Sequence, residues 1–501
     1  MIRALLITWF CGASLAGGGD FTDLLRFTNG DQLHGKFLGL KDGPQAVWQR
    51  DDVAVPVDFK TPQLRHIVLN GGRPARSLAS LAHVALVNGD HIPGEVVGMD
   101  AETITLETPY VGELRIPRDQ AAMLAPSPLG GRIHYHGPFV EDEWRMAHAA
   151  FPDGMPVLVP DGDDKGNSDK SQPGRWEFSG SAWYWPSKLS GTALLRENAM
   201  PDRSILRFDL AWKNRLAIAI GFHSDFVKPK ASEKNADDAP RRLAPGDSSI
   251  LPVMFGNSYV LQIFSTHMML FRTSISEEGS PSVERVQING NAIRLGDTGS
   301  ATVEIRSNRQ TGEISLFING DFVVQWSEGG GGPRDLARYA GKGSGFGFVV
   351  QTEDSPVRIS DVMVAEWNGM PDSARSLQVD EQDIVLLTNG TDRFSGKVSS
   401  FQDGKVALDG KYGRFQFALA DIAEIRFARN RLARETDAPS ADLTIRLSPL
   451  GQISGRPLGG TASSIRILHP VCGEMNFNLE SAIMLDFQPS KTIIDDWDAD
   501  F

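Results

Sequence analysis

Four times in this chain a β-like segment runs into a short polar turn, a glycine follows, and a second β-like stretch begins. The copies are Leu25-Arg-Phe-Thr-Asn-Gly-Asp-Gln-Leu-His-Gly35, Val84-Ala-Leu-Val-Asn-Gly-Asp-His-Ile-Pro-Gly94, Ile384-Val-Leu-Leu-Thr-Asn-Gly-Thr-Asp-Arg-Phe-Ser-Gly396 and Leu443-Thr-Ile-Arg-Leu-Ser-Pro-Leu-Gly-Gln-Ile-Ser-Gly455. An internal repeat constrains architecture even where no active-site motif exists. Two copies precede a long middle region and two follow it. Their turn glycines, Gly30 and Gly89, then Gly390 and Gly451, are spaced 59 and 61 residues apart, the length of one small domain.

The second copy shows the pattern most clearly. Val84–Val87 is apolar, Asn88-Gly89 is a hairpin-turn signal, and Thr103-Ile-Thr-Leu-Glu-Thr alternates with the period of a half-buried strand. Tyr110-Val-Gly-Glu-Leu-Arg-Ile-Pro adds a further hairpin. The third copy matches through Gly404-Lys-Val-Ala-Leu, Tyr412-Gly-Arg-Phe-Gln-Phe and Ile422-Ala-Glu-Ile-Arg-Phe. The fourth departs most, with Pro449-Leu-Gly in place of Asn-Gly. Each unit offers about five short strands, enough for a barrel whose closure removes exposed edges. The units resemble the SH3-like or Sm-like small β-barrels found in tandem in exported bacterial proteins. They are expected over residues 21–72, 80–126, 380–430 and 440–488.

Between the pairs, residues 127–174 read as a linker ending in Asp161-Gly-Asp-Asp-Lys-Gly-Asn-Ser-Asp-Lys-Ser-Gln-Pro-Gly174. Asp161, Asp163 and Gly166 match positions 1, 3 and 6 of a calcium loop. Lys165 and Gln172 stand where such a loop needs anionic oxygens. From 175 to 369 the strands lengthen, as in Ser204-Ile-Leu-Arg-Phe-Asp-Leu-Ala-Trp and Leu216-Ala-Ile-Ala-Ile-Gly-Phe-His. No helical periodicity interrupts them, so two packed antiparallel sheets are expected. Lys228–Ser249, rich in Ala, Asp, Lys and Pro, reads as an insertion outside the sandwich. Val303-Glu-Ile-Arg, followed by Gly312-Glu-Ile-Ser-Leu-Phe-Ile-Asn-Gly-Asp-Phe-Val-Val, resembles a late hairpin of concanavalin A-like, laminin-G-like jelly rolls. Ile359-Ser-Asp-Val-Met-Val-Ala-Glu-Trp resembles their closing strand. The fold class is therefore all-β: a jelly-roll sandwich with two small barrels before it and two after. That fold hosts lectins, hydrolases and structural modules alike.

The formal net charge of −13 argues against nucleic acid as a partner, since phosphate neutralisation needs a basic face. Residues 1–16 read as a signal peptide, with Arg3, an apolar stretch and the small-x-small Ser14-Leu15-Ala16. That places the chain in the periplasm, at the outer envelope or outside the cell. No later stretch resembles a membrane-spanning helix. Loss of Cys11 with the signal would leave Cys472 as the lone thiol, read as a small buried residue and not a nucleophile.

Catalytic constellations are sparse. Hydrolases on this sandwich commonly carry Glu-x-Asp-x-x-Glu on one strand, and no such string occurs. Glu304, Glu313 and Glu366 stand apart, and Glu141-Asp-Glu143 reads as a solvated face. No Gly-x-Ser-x-Gly elbow or phosphate loop is present. His134-x-His136 has strand spacing for a shared face but no evident third metal ligand. Trp183-Tyr-Trp185 offers the best lead to a ligand. Its two indoles share one strand face, where they either stack on sugar rings or fill the core. His223, Asp225 and Arg272 are the polar handles that could fix hydroxyls. No cofactor or metal is expected.

The expectation is a non-catalytic, exported binding or scaffold protein whose partners are carbohydrate or envelope proteins. Repeated barrels suit several weak contacts joined by linkage. A carbohydrate-active hydrolase or lyase on the jelly roll is the alternative. A calcium-assisted lectin is a third reading, and it requires that chelation lower the melting temperature.

Overall fold

The computed structural model describes residues 22–41, 45–150, 157–160, 174–186, 191–229, 248–286, 293–328, 339–352, 355–369, 380–433 and 442–487. The signal-like segment, Asp161–Gln172 and most of Lys228–Ser249 lie outside the described residues.

Barrel I is built from Asp23–Phe27, Gln32–Lys41, Gln45–Gln49, Val57–Lys60 and Leu64–Val68. Its last strand lies beside its first, and a 3-10 turn, Thr61–Gln63, leads into that last strand. Barrels III and IV repeat the plan, from Asp383–Leu387 to Ile422–Arg426 and from Leu443–Leu447 to Ala482–Asp486. Barrel II splits its second strand into His91–Pro93 and Glu95–Met99. The second-to-third strand ladder slips by one residue in every barrel, at Phe37/Gly39, Val96/Gly98, Val398/Ser400 and Pro457/Gly459. A bulge bends a strand sharply, which lets so short a sheet curl upon itself. The Asn-Gly turns behave as their chemistry requires. Asn29, Asn88 and Asn389 donate to Asp31, Asp90 and Asp392, and the following glycines take φ of 94°, 89° and 75°. Barrel IV reaches the same bend through Gly451 at φ 135°.

The barrels are not beads on a string. The last strands of I and IV pair antiparallel, with Ile67 opposite Leu485 and His66 opposite Asp486. Those of II and III do the same, with Leu124 opposite Ile425. IV and II meet through their turns, where Gln452 pairs with His91 and the His469 imidazole lies 2.9 Å from the Asp90 carboxylate. The spatial order is therefore I–IV–II–III. One hydrophobic core threads all four, including Ile67, Leu124, Ile425 and Leu485.

The middle region is a sandwich of two eight-stranded sheets. The front sheet contains Ala182–Trp185, Val357–Glu366, Arg203–Trp212, Gly299–Asn308, Glu313–Ile318 and Asp321–Ser327 in that spatial order. The back sheet contains Thr192–Arg196, Gly345–Val350, Ala217–Ser224, Ser258–Phe264 and Met268–Ile275. The expected linker needs correction. Ile133–Gly137 pairs with Val357–Glu366 in the front sheet, and Arg145–Ala150 pairs with Thr192–Arg196 in the back sheet. Glu141-Asp-Glu143 is the 3-10 turn between them, so its polarity marks a corner of the sandwich. The sandwich also rests on barrels I and IV. Phe139 packs against Leu24, Val68, Ile483 and Met484, and the Arg26 guanidinium donates to Ser181 at 2.7 Å.

Candidate functional site

Alternation along Ala182–Trp185 sends Trp183 and Trp185 to one face, as their spacing predicts, and that face is the inside. They are 1% and 0% exposed, Trp183 against Phe178 and Trp144, Trp185 against Trp176. Neither indole offers a ring face to a sugar. Burying one such ring contributes about 4–6 kcal/mol of hydrophobic free energy, and that gain explains why the core holds both. Their expected role in ligand binding is replaced by a role in the core.

His223 is also fully buried, at 0% exposure. Its Nε2 lies 3.1 Å from the Ser204 hydroxyl and 2.9 Å from that of Ser307. Burial, assisted by the charge of Arg309, pushes its pKa down to about 3. A neutral imidazole between two serines looks like a nucleophile and base, but no surface reaches it. The Asp225 carboxylate accepts from the Asn257 backbone at 2.9 Å and from its side-chain amide at 2.7 Å, which ties down the Gly256 turn. Arg272 bridges Glu328 at 2.7 Å and Glu284 at 3.1 Å, and the Tyr259 hydroxyl donates to the same Glu328. Tyr259 touches Tyr339, and Tyr339 touches His223. The structure thus brings His223 and Arg272 into one chain of contacts, but the groups serve each other. All three polar handles hold the back-sheet corner together.

The outer face of the back sheet is covered as well. Gly221 and Gly347 open a shallow bed for a short helix, Leu251–Phe255, all of whose side chains are buried. A Cβ on Gly221 would meet the Phe255 ring at 2.2 Å.

The outer face of the front sheet differs. Cross-strand register places Met363, Arg207, Glu304, Phe317 and Phe322 in one row, and Ser360, Asp209 and Thr302 in the next. Residues directly opposite in an antiparallel pair share a face. Arg306 pairs with Glu304 at 2.5 Å and lays its guanidinium 4.1 Å above the Phe317 ring. Phe322, packed edge-on to Phe317, is 57% exposed. Asp209 accepts from the Thr302 hydroxyl at 2.6 Å, and burial together with the nearby Asp361 charge raises its pKa above the usual carboxylate value. At the rim, His136 lies 2.8 Å from Asp361. Burial alone would raise Asp361, but that contact, with Arg446 and Arg207, holds it well below the usual range.

None of these front-face residues was singled out as a ligand contact from the sequence. The alternation in Val303-Glu-Ile-Arg marks them as facing away from the core. Only register across five strands assembles them, and no local pattern carries that.

The barrels hold one further constellation. Asp90, His469 and Cys472 meet at the II–IV joint. His469 Nδ1 accepts from the backbone N–H of Val471 and Cys472, which leaves Nε2 to donate to Asp90. Burial and the nearby Asp90 charge push the Cys472 thiol up to about 12. This is a structural clasp. Beside it, Leu78, Pro93, Tyr110 and Glu480 line a cavity of about 300 Å³. Among the described residues there is no cluster of three or more side chains suited to hold a metal ion. None of the described helices is long and apolar enough to cross a membrane.

No family model and no curated protein matches the chain. Among solved structures it is similar to the carbohydrate-binding module CBM66 from Bacillus subtilis, at 14% identity over 39% of this chain and 92% of that one, with a TM-score of 0.23. It is similar to the galectin LEC-6 of Caenorhabditis elegans, at 13% identity over 35% and 87%, with a TM-score of 0.20. An alginate lyase of polysaccharide lyase family 7 matches at 9% identity over 44% and 93%, with a TM-score of 0.20. Likeness at this level carries nothing about activity.

Proposed function

We propose that this chain is an exported binding scaffold whose jelly roll takes saccharides on the outer face of its front sheet. The barrels, SH3-like in strand order, hold that sheet in place. The observation that carries the reading is the exposed Phe322 ring beside the stacked Arg306–Phe317 pair and its partner Glu304. An exposed ring stacks on the C–H face of a sugar, while fixed guanidinium and carboxylate groups pair with its hydroxyls. Small changes test this on the full chain. Phe322→Ala is expected to abolish binding on a glycan array and leave the melting temperature within about 2 °C. Trp183→Ala is expected to lower the melting temperature instead. If the unaltered protein binds no glycan, or Phe322→Ala binds as well as it does, the reading fails.

One observation favours hydrolysis as a second reading. Asp209 and Glu304 are diagonal neighbours on adjacent strands, with backbones about 7 Å apart, so both carboxylates stand on one face. Burial raises the pKa of Asp209, and Glu304 is paired with Arg306. Turnover of a bound glycan that stops in both Asp209→Asn and Glu304→Gln would establish it. Binding without turnover leaves the scaffold reading in place.

A further inference from the structure

The four barrels use two kinds of joint, and one kind is left open at each end. Last-strand pairing joins I to IV and II to III. The other joint, between IV and II, uses the turn of each barrel's third hairpin, the one between its third and fourth strands. In barrel II that turn presents Tyr110, whose ring lies 4.7 Å from Phe477 of barrel IV and whose carbonyl accepts from the Asn478 N–H at 2.9 Å. In barrel IV it begins at His469, which holds Asp90 of barrel II. Both inner barrels therefore spend their third hairpins on each other.

The outer barrels carry the same hairpins with nothing against them among the described residues. In barrel I the connection from Gln49 to Val57 runs through seven residues, 50–56, where the other three barrels use two or three. It displays Val53, Val55 and Val57 at 38%, 69% and 40% exposure. In barrel III the turn displays Tyr412 at 87%. These are four of the nine large exposed apolar side chains among the described residues, three at one end and one at the other. The barrel I valines form a cluster, and clustered exposed apolar groups mark an interaction surface; Tyr412, with Lys411 over its ring, is a single large anchor that such a cluster can receive.

Charge selects the pairing. In the barrel I turn Arg50 is taken up by Asp52, which leaves Asp51 as surplus acid. In the barrel III turn Arg414 is taken up by Asp409 at 3.6 Å, which leaves Lys411, poised over the Tyr412 ring, as surplus base. Like ends repel and unlike ends attract.

We propose that copies of this chain join head to tail, the third hairpin of barrel I docking on that of barrel III of a second copy. The contact repeats between chains the joint that II and IV already make within one. It is heterologous, so it propagates into a filament or closes into a ring instead of stopping at a dimer. A patch this small implies weak association that becomes evident as concentration rises.

Sedimentation velocity of the full chain across a concentration series tests it. The expected result is mass growing past the dimer, with less growth at high salt. Val55→Asp disables the barrel I end, and the double change Lys411→Glu, Tyr412→Ala disables the barrel III end. Both lie at exposed positions, and unchanged thermal melts verify that each variant is folded. Each alone should stay monomeric. Mixed in equal amounts they should form a dimer and nothing larger, because one working end of each kind remains. A protein that stays monomeric at every concentration overturns the proposal. So does a single variant that still assembles, or a mixture that fails to dimerise.

Discussion

His223 shows how far burial can bend the chemistry of one side chain. Its φ of 52° and its place between Ser204 and Ser307 are imposed by the strand end it occupies, and the site keeps it neutral. His83, 5% exposed and stacked on His91, is likewise lowered by burial, to about 4. Both folded values lie below the unfolded value of about 6.5. Between those limits the unfolded chain takes up protons that the native state refuses. The stabilisation is therefore complete above about pH 6.5 and is lost as pH falls toward the folded values. Each group removes about 1.4 kcal/mol per pH unit, so the pair should cost about 4 kcal/mol by pH 5. Urea titrations at pH 7.5 and pH 5 measure this together with the same-direction losses from buried His66 and His91, and His223→Gln should recover about 2 kcal/mol. A stability profile flat over that range would contradict the burial of these rings. Trp183 belongs to the same scale. Its replacement by alanine should cost about 3–5 kcal/mol, as expected for a core tryptophan.

At the scale of elements, the short helix Leu251–Phe255 depends on two glycines it never meets in sequence. Gly221→Val would drive two methyls into the Phe255 ring, and expelling the helix would bare the apolar bed formed by Ala219, Val260 and Val349. A loss of about 1–3 kcal/mol is expected by analogy with overpacked cores. The exposed bed should also bind a hydrophobic dye that the unaltered protein ignores, and no dye binding would show that the helix stays seated. The same scale separates what could be read from the sequence from what could not. Asn29-Gly30, Asn88-Gly89 and Asn389-Gly390 announced their hairpins because turn chemistry is local. The alternation around Trp183 and Trp185 was equally legible. Their placement was not, since a strand in a sandwich has two alternating faces and the pattern does not say which is inside. Arg145–Ala150 does not read as a strand, because the acidic corner before it reads as linker. The front-face row was out of reach for a further reason: only strand register aligns Arg207, Glu304 and Phe322.

The whole molecule is tied together by pairings between residues hundreds of positions apart. Leu64–Val68 completes its sheet only by finding Ala482–Asp486, and Ala121–Ala125 only by finding Ile422–Arg426. The apolar core runs unbroken through all four barrels, and the outer face of the I–IV sheet seats the sandwich through Leu24, Val68, Met484 and Phe139. A barrel of about fifty residues has little core of its own, and domains of that size are marginal alone. Stability therefore belongs to the set, and the barrels should melt together. Calorimetry of the full chain should show barrels I–IV in one transition, with a van't Hoff enthalpy far above what one barrel supplies. The joint can be probed at its buried hydrogen bond. His469→Ala removes one partner of the Asp90 carboxylate, which is 1% exposed and keeps only the Asn88 amide as a side-chain donor, and should cost about 2–3 kcal/mol. That loss should lower the common transition as a whole. If barrels II and IV instead melted separately from I and III, or His469→Ala left the transition in place, the four barrels would be independent units and the shared core would be contact without coupling.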